Sequence, residues 1–395
     1  MSRFHSYLQS ATAIVSSYTG EEPFSSYIKQ YFSRYKKFGS NDRKTITHLC
    51  YCYFRTGRSL DSLPIEDRIL SALFLCQQAS HPVLRALQPQ WDEAVHASPV
   101  EKYKHIGLTY SEKSIFPFTD QLSCESDRAL FEISHLIQPD LFLRIRPGKK
   151  DQVLNDLHRA GIMFRELEEQ VLVLSNSSKI DSVLAIDQDV VVQDYSSQRI
   201  GSLLQLLIDR TVPIYHVWDC CAASGGKSIL AYDKLKDIHL TVSDIRSSIL
   251  VNLEKRFKLA GINKYHAFVA DLSKENAIDL SSFAKPDLIL ADVPCSGSGT
   301  WGRTPEQLNY FQSEQIDRYS LLQKKIVSTA SSFLKPGGYL LYSTCSVFQK
   351  ENEEVVSYLE DSLGFEVIHK ELYKGFEWRA DTLFGALLRK RVETN

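Results

Sequence analysis

Two cysteines stand where a nucleophile is most easily placed. Cys345 closes the apolar run YLLYSTCS (339–346), entered through Gly337 and Gly338, and Cys295 closes DLILADVPCS (287–296). Each run reads as a buried strand, and each thiol arrives where strand gives way to loop. A third apolar run, HVWDCC, leads into the glycine turn AASGGKS (222–228). Ligands of an open α/β sheet bind at the carboxyl ends of its strands. These three strand ends therefore predict one crevice containing a thiol nucleophile. The opposing reading is that both cysteines fill core space, where unpaired cysteine is common.

The glycine turn lets backbone amides approach a ligand closely. Its GGKS invites a P-loop reading, but the glycine such a loop needs five positions before Gly226 is replaced by Cys221, which argues against an NTPase. Asp244 ends the next strand, where an acid can grip the two ribose hydroxyls of an adenosine-containing cofactor. Asp271 ends the third strand and is a candidate for the adenine amino group; Asp292 ends the fourth. Dehydrogenases and methyltransferases share this pattern, and the thiols separate them. Hydride transfer has no use for a proline-cysteine at one strand end and a threonine-cysteine at the next. Methylation of cytosine at carbon does, because C5 is a poor nucleophile until a thiolate adds at C6. A free thiol is mostly protonated at neutral pH, so a cation is wanted, and Lys227 is a candidate for that role or for holding the target nucleotide's phosphate. The alternative for Lys227 is a helix-start lysine pointing to water.

The elements that must position these groups follow from the periodicity. From residue 212 onward strands and helices alternate, which predicts a mostly parallel, doubly wound sheet finished by a hairpin (365–368 and 382–389) at one edge. Residues 141–194 read as a small α+β module. Arg144 and Arg146 share a face of its first strand, with Lys149 and Lys150 just after; they are candidates to touch an RNA backbone, or else an exposed strand face. Residues 9–54 carry helical spacing. Between Lys29 and Arg58 the charges are basic except for Asp42, and they alternate with Tyr27, Tyr31, Tyr35 and Tyr51, a pattern that holds phosphate and stacks bases or simply faces water.

A chain of 395 residues predicts two or three domains, drawn here as 1–125 helical, 126–200 α+β and 201–395 α/β. The net charge of −2 excludes wholesale basic character. Eight cysteines without CxxC or framework spacing indicate a reducing setting. Cys50, Cys52, Cys76, Cys124 and Cys220 are assigned to packing, and the histidines show no metal spacing. With no signal-peptide pattern and no run long enough to span a bilayer, the expectation is a cytoplasmic, metal-free monomer.

Several stretches carry a resemblance to a known family. DCCAASGGKS (219–228), the strand-end Asp244, Asp271, ADVPCSGSGT (291–300) and YSTCS followed by ENEEVV (342–356) resemble the RNA cytosine-5 methyltransferases related to bacterial Fmu/Sun proteins. VQDYSSQ (192–198) is similar as well, and NDRKTITHLCYCYFR (41–55) more weakly resembles the helical part of the ribosomal members. The resemblance implies a Rossmann-like sheet using S-adenosylmethionine, with RNA as partner, ribosomal ahead of transfer RNA. It implies that Cys345 attacks C6, a choice the residues alone leave open because DNA enzymes use the thiol after proline, and that Cys295 assists release of the methylated base. Cys221, Ala222, Ala223, Ser224, Gly225, Gly226, Lys227, Asp244, Asp271 and Asp292 would line the cofactor site, Asp292 also contacting the cytosine. Ser224 stands where the family has proline, and WGRTPE keeps only Arg303 of two basic residues. A catalytically silent RNA-binding protein on the same fold is the rival reading.

Overall fold

The central strands after residue 212, Leu288–Asp292 and Tyr339–Thr344 above all, are buried along most of their length, as expected of a parallel sheet covered on both faces. Successive residues alternate between two cores. Val217, Leu240, Val242, Leu290 and Leu341 pack on one face with Leu203, Ile229 and Phe257. Trp218, Ile289, Ala291, Leu340 and Tyr342 pack on the other with Ile326, Val327, Val355 and Leu359. The computed structural model describes residues 3–111, 114–123, 128–210, 212–274 and 284–392. Cys124 lies outside them.

The chain divides into two compact units, one of residues Met1–Pro139 and Thr300–Ser313 and one of Asp140–Gly299 and Glu314–Asn395. In the first unit, helices at Arg3–Ser17, Phe24–Arg34, Ser40–Arg55 and Ile65–Cys76 are joined by shorter ones. Its interior is aromatic: Tyr18 meets Phe24, Phe54 and Tyr310 edge-on. The basic stretch proves divided. Lys29, Arg34, Lys36 and Lys37 are exposed, whereas Arg55 is 6% exposed and donates to the carbonyls of His135 and Gly302. Arg55 is thus interior structure, and Tyr27 and Tyr51 pack against Phe24.

The second unit holds two sheets. Strands β1 (Leu141–Ile145), β2 (Phe164–Glu168), β3 (Val171–Leu174) and β4 (Val190–Val192) form an antiparallel sheet in the order β2-β3-β1-β4. Strands β5 (His216–Asp219), β6 (His239–Asp244), β7 (Tyr265–Val269), β8 (Leu288–Asp292), β9 (Tyr339–Thr344), β10 (Phe365–Tyr373) and β11 (Leu383–Lys390) form the other in the order β10-β11-β9-β8-β5-β6-β7. Strands β5 to β9 are parallel, and the β10–β11 hairpin closes one edge antiparallel. This is the Rossmann-like α/β sheet the alternation predicts. Among the described residues no helix is long and apolar enough to cross a membrane, and no cluster of His, Cys, Asp or Glu could hold a metal ion.

One expectation for the small module is overturned. Arg144 and Arg146 are neither exposed nor free to meet RNA: their side chains are 6% and 11% exposed, and each reaches a carboxylate oxygen of Asp233 at 2.6 Å. Arg146 also donates to the carbonyls of Asp187 and Ala260 at 3.1 and 2.7 Å. Lys149 pairs with Asp189 and Lys150 with Glu166. The basic run joins the module to the large sheet's helix Gly226–Leu235, which carries Asp233. Burial pushes the Arg144 guanidinium down while Asp233 pushes it back up. Asp233→Ala, which strands two buried cations, is expected to cost ~3–5 kcal/mol, read as a fall in the thermal midpoint of the full chain.

Candidate active site

The parallel pairing of β5, β6, β8 and β9 brings their carboxyl ends to one edge of the sheet. Cys221, Ala223, Asp244, Asp271, Asp292, Cys295 and Cys345 line a cleft there of about 480 Å³, with Ile245, Leu272, Pro294 and Tyr319 among its walls. That volume suits a nucleoside-sized ligand. Ala222, Ser224, Gly225, Gly226 and Lys227 shape the turn beside the cleft instead of lining it. Gly225 has φ +84°, and a Cβ there would come within 2.7 Å of the Phe257 ring, so glycine is required on both counts. Ala223 shares the left-handed region at φ 45°. Ser224 does not leave the turn loose, because Arg256 donates to its carbonyl and its hydroxyl at 2.9 and 3.0 Å while also gripping Asp187.

Each acid of the cleft is held by a different device. Asp244 accepts from the Ala223 amide at 3.0 Å and from the amide and guanidinium of Arg246. Asp271 accepts from the amide and hydroxyl of Ser273 and pairs with Lys274 at 3.2 Å, and these hold its carboxyl below the usual range. Asp292 accepts from the Ser343 hydroxyl at 2.9 Å and meets Lys227 Nζ at 2.7 Å. Lys227 therefore does not point to water; its side chain is 12% exposed. Burial works to lower its pKa, but Asp292, then Cys345 and Asp219, outweigh it and raise the value, so the ammonium persists.

The two thiols meet. Cys295 Sγ and Cys345 Sγ are 3.2 Å apart, because β8 and β9 run level, with Asp292 opposite Ser343. The hydrogen bond to Cys345, then burial, push the Cys295 thiol well up. The loop after Cys295 is pinned at Gly299, which donates to the Cys345 carbonyl at 2.9 Å and accepts from the Thr382 amide at 2.8 Å. A Cβ on Gly299 would lie 1.9 Å from the Thr382 carbonyl. Cys50, Cys52 and Cys220 are buried and Cys76 half-buried.

Several groups of the site escaped the sequence reading. Ser343, Ser296, Gln323, Glu351 and Asn352 form a polar layer under the thiols. The only signal for Glu351 and Asn352 was the ENEEVV run, whose place after Cys345 said nothing about what the side chains touch. Asp219 is another. It is buried, accepts from the Ser228 hydroxyl at 2.5 Å, and has its pKa raised to about 7 by burial, with Ser228 and Lys227 opposing and Asp292 adding to the rise.

A folded-state value above the unfolded 3.8 means that folded protein holds the Asp219 proton more tightly. Its contribution is complete below about pH 4 and is lost as pH rises through about 7, at up to ~1.4 kcal/mol per pH unit. Asp219→Asn is expected to flatten this part of the dependence of the thermal midpoint on pH between 5 and 7.

Residues 210–374 match the family model described as 16S rRNA methyltransferase RsmB/F. The chain is 28% identical over 241 residues to ribosomal RNA small subunit methyltransferase B of Xanthomonas campestris pv. campestris, covering 55% of this chain and 53% of that protein. It is 29% identical to the probable ribosomal RNA small subunit methyltransferase B of Bacillus subtilis, covering 78% and 70%. It is also 31% identical to the mouse tRNA (cytosine(72)-C(5))-methyltransferase NSUN6, covering 36% and 31%. The chain thus spans about half the length of the first of these relatives. Among solved structures, PH0851 superposes with a TM-score of 0.68 at 18% identity over 98% of both chains. NSun6 from Pyrococcus horikoshii does so with 0.56 at 15%, covering 69% of this chain and 97% of that one. At these identities the superpositions speak for the fold.

Proposed function

We propose that this chain, a member of the RNA cytosine-5 methyltransferase family, methylates C5 of a cytidine in ribosomal RNA through a covalent adduct with Cys345. The observation that carries the reading is the pair of thiols at 3.2 Å, at the mouth of a nucleoside-sized cleft. The residues present fit the family's cofactor, S-adenosylmethionine. Asp244 and Asp271 offer carboxylates for a ribose and an adenine amino group, Ile245 and Leu272 offer apolar surface, and the cleft has the volume of such a ligand. When bound, S-adenosylmethionine supplies the methyl group as an electrophile.

The chain's own residues do the rest. Cys345, as thiolate, adds to C6 of the ring and makes C5 electron-rich. Asp292, held by Lys227 and Ser343, lies in the same cleft as both thiols and is the group placed to hydrogen-bond the ring. Once C5 carries its methyl, solvent water takes the C5 proton, the electron pair of that C–H bond restores the C5–C6 double bond, and the C6–sulfur bond breaks to return Cys345 as thiolate. Cys295, which touches that sulfur, assists the departure. The base must be unpaired or flipped out of its stack to reach these groups. Support for ribosomal RNA comes from the bacterial relatives, which are ribosomal RNA small subunit methyltransferases B.

Cys345→Ala is expected to abolish both turnover and adduct. Cys295→Ala is expected to accumulate protein covalently joined to RNA, seen as a nuclease-sensitive band shift in a denaturing gel. If trapping follows Cys345→Ala instead, the two roles are reversed. Bisulfite mapping of RNA from cells lacking the protein locates the cytidine, and a site lost from transfer RNA with ribosomal sites intact overturns the choice of substrate.

A further inference from the structure

Glu351 is fully buried, 0% exposed, in a short turn of helix at Gln349–Glu351. Among the described residues no cation pairs with it, and burial raises its pKa against the hydrogen bonds it accepts. A buried carboxyl without a counter-ion is costly unless hydrogen bonds compensate it. Its hydrogen bonds go to the two thiol-bearing loops. Oε2 accepts from the Ser296 amide and from Gln323 Nε2, both at 2.9 Å, and Oε1 accepts from the Ser346 hydroxyl at 2.8 Å. Gln323 Nε2 also donates to the Pro294 carbonyl at 3.0 Å. The neighbouring Asn352 donates to the Ser346 carbonyl at 2.9 Å and accepts from the Thr344 hydroxyl at 2.5 Å. The residues on both sides of Cys295 (294 and 296) and of Cys345 (344 and 346) are thus tied to one of three buried side chains.

The geometry points to Glu351, with Gln323 and Asn352, as the positioning group that sets the distance between the Cys295 and Cys345 sulfurs. This inference rests on the thiol pair of the proposed function, but its test does not need that function to be right. The carboxylate has two oxygens facing two loops, so one side chain fixes both loops against each other. Gln323 adds a third point from the helix Glu314–Ser332. A glutamine at 351 could still accept from the Ser296 amide through its oxygen while the Ser346 hydroxyl turns to accept from its amide; an alanine can do neither.

The thiol-to-thiol distance is read directly by the rate at which diamide, a diazene oxidant, closes a Cys295–Cys345 disulfide, each sulfur losing its hydrogen to the reagent. Peptide mass mapping follows the product in the full chain. Wild type is expected to close it, Glu351→Ala to close it at least about tenfold more slowly, and Glu351→Gln to remain within about threefold of wild type. S-adenosylhomocysteine affinity should stay within about twofold throughout, which a general loss of structure would not allow. On RNA, Glu351→Ala should lose about 100-fold in kcat with KM little changed. Should Glu351→Ala fail to fold, Gln323→Met and Ser346→Ala, each removing part of the network while leaving Glu351 in place, are expected to slow closure severalfold. A wild-type protein that closes no such disulfide overturns the inference. So does Glu351→Ala closing it at the wild-type rate with S-adenosylhomocysteine affinity intact, or, if that variant does not fold, both Gln323→Met and Ser346→Ala doing so. Absence of RNA methylation in wild type with these closure rates as expected would count against the proposed function alone.

Discussion

The site depends on the parallel pairing of β8 with β9. Because Asp292 lies opposite Ser343 in that register, the two strands end level with one another. The loops that follow start side by side, and two thiols far apart in sequence come into contact. A shift of one residue would turn every side chain of the strand to the opposite core, which the two apolar clusters oppose with Leu290 and Leu341 on one side and Ala291 and Tyr342 on the other. Hydrophobic patterning thereby fixes the alignment of the chemistry. No contact between the thiols themselves is needed to hold it.

Around that alignment the charges are arranged in a chain. Asp219, Lys227 and Asp292 form a series running from the interior to the cleft, in which the buried carboxyl has its pKa lifted and the middle ammonium keeps its charge. The helix that starts at Gly226 supplies both Lys227, which holds the cleft's Asp292, and Asp233, which holds the arginines of the small module. One ten-residue helix therefore links the module to the sheet and the sheet to its site. A disturbance of the module would be felt at the glycine turn through rigid packing.

Much of this was legible beforehand. The five parallel strands stood out because each is a short, apolar-rich run set between helical stretches, and the hairpin β10–β11 because it closes the pattern. The thiols, the glycine turn and the acids were legible because each sits at a strand end. Strand β2 was not, since Phe164–Glu168 reads FRELE and is largely exposed, leaving no buried face to produce a period. Arg144 and Arg146 were misread for a different reason. An alternating basic strand looks the same whether its counter-charge is a phosphate or an aspartate some ninety residues away, and only the folded chain reveals Asp233. Glu351 was hidden likewise, its partners lying on three separate elements.

The short stretch Thr300–Ser313 follows the Cys295 loop and is built into the helical unit before the chain returns. Arg55 donates to Gly302, Glu306 accepts from the Phe24 amide, and Tyr310 covers Tyr18. During synthesis, then, the amino-terminal helices wait for a segment made long after them, with most of the sheet's strands emerging in between. Vectorial, unit-by-unit maturation is closed to this chain: neither half can be excised at a single linker, and the helices reach their final packing only when the ribosome has passed residue 313.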